Sequence, residues 1–99
     1  MSLNQREKID TINELQQSFR LSGLTVQQIA TQLQTKADYV CDLLKLDTKR
    51  IEDPWILKNF LQDYNQNHSI GTVKFTVLKG DYHDYGFLNS AIIERALLN

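Results

Sequence analysis

Cysteine, proline and tryptophan each occur once in this 99-residue chain, and glycine four times. The lone Cys41 excludes an internal disulfide and fits a reducing compartment. So little glycine and proline, with 41% hydrophobic residues, suits one compact domain over residues 1–99 with one modest core. A domain this small is only marginally stable alone, so a homodimer that hides further apolar area is expected. Long apolar runs are absent too. The opening MSLNQREKID lacks a signal-peptide core, and no stretch approaches the ~20 apolar residues of a membrane span. The expectation is a cytoplasmic protein with no membrane partner.

Charge of one sign is also lacking. The net charge is −1; the first fifty residues carry seven Lys/Arg against six Asp/Glu, and the rest four against six. That balance gives no broad basic field for non-specific nucleic-acid affinity, so any DNA contact rests on a local patch or on dimerisation.

What is present is mostly helical patterning. Asn4 with Glu7 forms a capping box, and Ile9, Ile12, Leu15 and Phe19 recur at helical spacing behind it. Gly23 supplies a stop. Thr25 with Gln28 is a second capping box, opening a helix whose apolar face is Val26, Ile29, Ala30 and Leu33. Thr35 with Asp38 suggests a third start, and Val40, Leu43 and Leu44 carry that helix to about Leu46. Asp53, Pro54 and Trp55 form the clearest start, a capping carboxylate followed by proline at the first helical position. Leu57, Phe60, Leu61 and Tyr64 then share a face. Val73, Phe75 and Val77 alternate with polar residues, which is strand periodicity. Asn89 or Ser90 caps a last helix with Ile92, Ile93, Ala96 and Leu97 on one side. The fold class is therefore mainly α, with a short strand or hairpin expected near residues 73–88.

Residues 24–46 follow a helix-turn-helix pattern. Leu24, Ile29, Ala30, Leu33, Val40 and Leu44 place a small residue where two short helices meet and large apolar residues around the crossing. In a DNA-binding version the exposed start of the second helix reaches base edges; here it presents Lys36, Ala37, Asp38, Cys41 and Asp42. Lys45, Lys49 and Arg50 follow and are candidates for phosphate contact. Asp38 and Asp42 oppose a tight fit to an anionic duplex, and Gln34 and Lys36 occupy turn positions where glycine and a capping serine are common. Two amphipathic helices packed without a nucleic-acid role fit the same pattern.

The segment KGDYHDYGFLN, residues 79–89, concentrates Asp81, His83, Asp84, Tyr82, Tyr85 and Phe87. A metal site needs three or more converging ligands, and the other histidine, His68, completes no ligand motif. There is no nucleophile elbow and no phosphate-binding glycine loop, and Cys41 has no base evident beside it. No enzyme activity, cofactor, metal or small-molecule substrate is therefore expected. Gly80-Asp81 can turn a hairpin between residues 73–78 and 83–88, but that register pairs Asp84 with Val77 and Gly86 with Phe75. An irregular aromatic loop accommodates the segment at least as well.

The strings KRIEDPWILKNFL (49–61) and LKGDYHDYGFLNS (78–90), with LTVQQIATQLQTKADYV before them, resemble the bacterial domain-of-unknown-function family numbered 2316. The resemblance covers nearly the whole chain. It implies a small cytoplasmic bacterial protein with a helix-turn-helix-like N-terminal part, and it carries no activity or catalytic residue. Gly86 stands where the family pattern leads one to expect tryptophan, which argues against an aromatic platform there. The reading taken forward is a small DNA-binding, transcription-regulator-like protein, with a non-enzymatic interaction or dimerisation module as the alternative.

Overall fold

The computed structural model describes residues 4–71, 73–78, 83, 85 and 88–98. Among these are five helices: α1 Gln5–Ser22, α2 Val26–Leu33, α3 Ala37–Leu43, α4 Asp53–Asn67 and α5 Ser90–Arg95. None is long and apolar enough to cross a membrane.

Both expected capping boxes form. Asn4 accepts from Glu7 N at 2.8 Å while Glu7 Oε1 accepts from Asn4 N, and Thr25 and Gln28 do the same for α2. Gly23 ends α1 with φ +71°, a left-handed conformation that glycine adopts without steric penalty.

The buried side of α1 matches the expected one at Leu15 and in part at Phe19, and differs elsewhere. Ile9 is 46% exposed, and the buried positions are Thr11, Leu15, Ser18 and Ser22. Hydroxyls can face inward here because two of them bond their own helix, Thr11 Oγ1 to Glu7 O at 2.8 Å and Ser22 Oγ to Phe19 O at 2.6 Å. Ser18 meets Asn65 of α4, whose Nδ2 donates to Ser18 O at 3.2 Å. These small side chains let α1 lie along α4, its most extensive helix contact.

Four further boundaries depart from the sequence reading. Lys36, not Thr35, precedes α3, with no side-chain cap. That helix stops at Leu43 rather than near Leu46, because Asp42 O collects the amides of Lys45 and Asp47 and turns the chain through Leu46 at φ +62°. At α4 the cap position is Glu52, and Asp53 is already helical, its carboxylate turned inward. The Glu52 carboxylate instead accepts from Asn89 N at 3.0 Å, and Asn89 Oδ1 caps α5. Helix α5 ends at Arg95, Ala96 turns left-handed, and Leu98 rather than Leu97 is buried.

No strand forms among the described residues. The alternation is nevertheless used: Val73 and Phe75 are buried, Lys74 and Thr76 exposed. Side chains replace a ladder, with Gln62 Nε2 donating to Val73 O at 3.0 Å and Thr76 N to Glu14 Oε1 at 3.1 Å. The Gly80-Asp81 turn lies outside the described residues. The buried apolar residues of all five helices and of 73–78 join in one cluster centred on Leu15, Ile29, Val40, Leu43, Leu57 and Leu61.

Lys58 sits at the edge of that cluster, its Nζ 5.2 Å from the Trp55 ring centre and 5.9 Å from that of Phe75. Burial pushes its ammonium below the ordinary lysine value of 10.5, against the opposing pull of Asp63. Between the lowered value and 10.5 the unfolded chain binds more protons than the folded one, so stability rises with pH in that window. At lower pH the penalty is fully present. Denaturant unfolding from neutral pH up to 10.0 should show this rise in the native chain and lose it in Lys58→Met; equal slopes would refute the buried-ammonium assignment.

Candidate nucleic-acid interface

Helices α2 and α3 are joined by Gln34, Thr35 and Lys36. Gln34 closes α2 in the left-handed region at φ +59°, at a position where a side chain is strained and glycine is not. Ile29, Ala30, Leu33, Val40 and Leu43 are buried at the crossing. Ala30 lacks any side chain beyond Cβ, so the helices approach closely.

The outward side of α3 presents exposed Lys36, Asp38, Asp42 and Lys45, with Cys41 half-buried among them. Ala37 is half-buried and packs on the core. The formal charges of the four exposed side chains cancel. Beside this face, a groove of about 410 Å³ between α1, α2 and α3 is lined by Phe19, Val26, Cys41 and Leu44 and rimmed by Arg20 and Lys45. Gln16 Nε2 crosses from α1 to Leu44 O at 3.2 Å and fixes the end of α3.

The last two candidates already have structural partners. Arg50 Nε donates to Asp53 Oδ1 at 2.9 Å, and Asp53 is 1% exposed. Lys49 Nζ lies 5.0 Å from the ring centre of Tyr39, and its backbone N donates to Tyr39 Oη at 2.9 Å. Tyr39 donates to Asp53 Oδ2, and Thr48 Oγ1 to Arg50 O. Burial, then the Asp53 hydrogen bond, raises the Tyr39 phenol above 10.0. This network ties α3 to the start of α4 through the connector. The spacing of Tyr39 and Asp53 gave no sign of it, because fourteen residues separate the partners.

Of the Asp81, His83 and Asp84 cluster, only His83 lies within the described residues. It pairs with Glu94 of α5. Tyr85 packs on Trp55 with ring centres 5.5 Å apart; Tyr82 and Phe87 lie outside the described residues. On α4, Phe60, Tyr64 and His68 recur every fourth position and form a ladder of rings, with centres 6.4 and 4.0 Å apart. Phe60 and Tyr64 are only half-buried, so the face they share with Leu57 and Leu61 is partly a surface at these two positions.

A mainly α protein with an exposed second helix in a tightly turned pair is the class these observations define. The chain belongs to the family DUF2316, described as an uncharacterized protein conserved in bacteria, which it matches over residues 1–89. No curated protein and no solved structure matches it.

Proposed function

We propose that the chain is a small, non-enzymatic DNA-binding protein of the transcription-regulator type, with α2 and α3 as a helix-turn-helix and α3 as the reading helix. The observation that supports this reading is the packing of α2 against α3 through Ala30, which leaves Lys36, Asp38, Asp42 and Lys45 exposed along one face. A helix presented this way can enter a major groove with its N-terminal residues toward base edges. Lys36 and Lys45 would meet phosphates, and an aspartate would be tolerated opposite a cytosine amino group. A homodimer would present two such helices to successive half-sites.

Lys49 and Arg50 contribute less in this reading, since Tyr39 and Asp53 hold them. Retention on random-sequence duplex DNA should fall steeply with salt, and Lys36→Ala with Lys45→Ala should reduce the logarithmic salt slope by about 2, roughly one per phosphate contact. An unchanged slope would remove these lysines from the interface. Absence of retention even at low salt would favour the alternative, an interaction module that keeps the helix packing while Asp38 and Asp42 repel nucleic acid.

A further inference from the structure

Two open grooves run along the outer side of α4 and share the Phe60 and Tyr64 rings and Gln32. One, of about 490 Å³, lies toward α2; the other, of about 320 Å³, lies toward α5. Both fall in the volume range of small-molecule sites. Their surfaces combine aromatic rings with an uncommon density of carboxamides. Gln27, Gln28 and Gln32 come from α2, and Asn59 and Asn67 from α4. We infer that this double groove binds a neutral, polyhydroxylated ligand, an oligosaccharide, along the Phe60–Tyr64–His68 ladder.

The chemistry of the lining selects that class. Among the described residues no lysine or arginine borders either groove, and Asp63 is the one carboxylate. Phosphates and nucleic-acid backbones therefore find no counter-charge and one repulsive charge. The hydrogen-bonding groups are mixed. Gln28 Oε1 is held by Thr25 N at 2.9 Å, which turns its NH₂ into the available donor. His68 Nδ1 lies 2.9 Å from Tyr64 O; a carbonyl only accepts, so Nδ1 carries a proton and is already engaged. Asp63 accepts, and each free carboxamide does both.

A proline-rich peptide offers acceptors and few N–H donors, so Asp63 would go unmatched. Every sugar hydroxyl donates and accepts, and the sugar C–H groups suit the apolar ring edges of Phe60 and Tyr64 that border the grooves. Two open grooves that share the Phe60 and Tyr64 rings, rather than one enclosed cavity, fit neighbouring sugar residues and weak binding, with a dissociation constant on the order of 1 mM.

The test is a nuclear magnetic resonance titration of the full chain with maltotriose, cellotriose and triacetylchitotriose, and separately with a proline-rich peptide and with AMP. The expected result is that at least one trisaccharide shifts the ring signals of Phe60, Tyr64 and His68 in a saturable way. Tyr64→Ala and Gln32→Ala should each weaken it by about tenfold or more. Gln32 is exposed, so that variant keeps the fold even where Tyr64→Ala perturbs it. The inference is overturned if no trisaccharide moves those signals, if the peptide or AMP binds there more tightly, or if folded variants bind the sugar unchanged. None of these results bears on the DNA reading, which rests on the other side of the helix pair.

Discussion

Asp53→Ala is expected to lower the unfolding free energy by about 3 kcal/mol, a fall of roughly 10–25 °C in Tm for a domain of this size. The carboxylate is 1% exposed and accepts from both Tyr39 Oη and Arg50 Nε. Removing it strands a buried phenol and a partly buried guanidinium, and the loss is the desolvation of those groups more than the attraction itself. Asp53→Asn keeps an acceptor oxygen but not the charge, so its effect should be about half as large. Urea unfolding of both variants gives the comparison, and a loss below about 0.5 kcal/mol for Asp53→Ala would class the network with ordinary surface pairs.

The same network predicts an alkaline signature. The folded state raises the Tyr39 pKa above 10.0, so its contribution is fully present below 10.0 and is lost as pH rises through the folded value. Tyr39→Phe should remove that decline. Because the network spans the connector after α3, Asp53→Ala should also weaken whatever α3 binds, without touching its exposed face.

Leu57→Ala is expected to cost about 3–4 kcal/mol, while Ile9→Ala costs less than about 0.5 kcal/mol. Leu57 is 0% exposed on α4, at the centre of the shared cluster. Its truncation forfeits transfer free energy and leaves a cavity between helices that cannot fully collapse. Ile9 looks equally apolar in sequence, yet it is 46% exposed. Measuring both by denaturant midpoint separates the observed buried stripe of α1 from the one hydrophobic spacing suggests. Similar losses at the two positions would reverse that assignment.

That contrast shows what was legible. Helix boundaries whose signals are local came through well: two capping boxes and the Asn89 cap at helix starts, and Gly23 at the end of α1, are all short-range facts. The buried side of α1 came through only in part: Leu15 is buried and Phe19 packs on the core, but Thr11, Ser18 and Ser22 become core residues through bonds to their own helix and to Asn65. Asp53 carried a capping signal and was taken inward by Tyr39 and Arg50, a tertiary demand that outweighs local preference. The alternation correctly marked Val73 and Phe75 as buried but not Val77, which is half-buried beside buried Leu78, nor the backbone pairing, since Glu14 and Gln62 supply the partners a second strand would have given. For the candidate site, the exposure of Lys36, Asp38 and Asp42 followed from the pattern, whereas Ala37 and Cys41, expected on the same exposed face, are half-buried. The engagement of Lys49 and Arg50 did not follow from it, because it depends on an aromatic ring and a carboxylate brought in from α3 and α4.

The pairing of α1 with α4 also sets an order of events as the chain folds. Helices α2 and α3 are neighbours in sequence, so their docking closes only a short loop and forfeits little chain entropy. Bringing Ser18 to Asn65 must enclose that whole pair, a later and slower step. The helix pair is thus expected to assemble first and to be clasped from outside afterwards, so that mutations in the contact between α2 and α3 should slow folding more than those between α1 and α4.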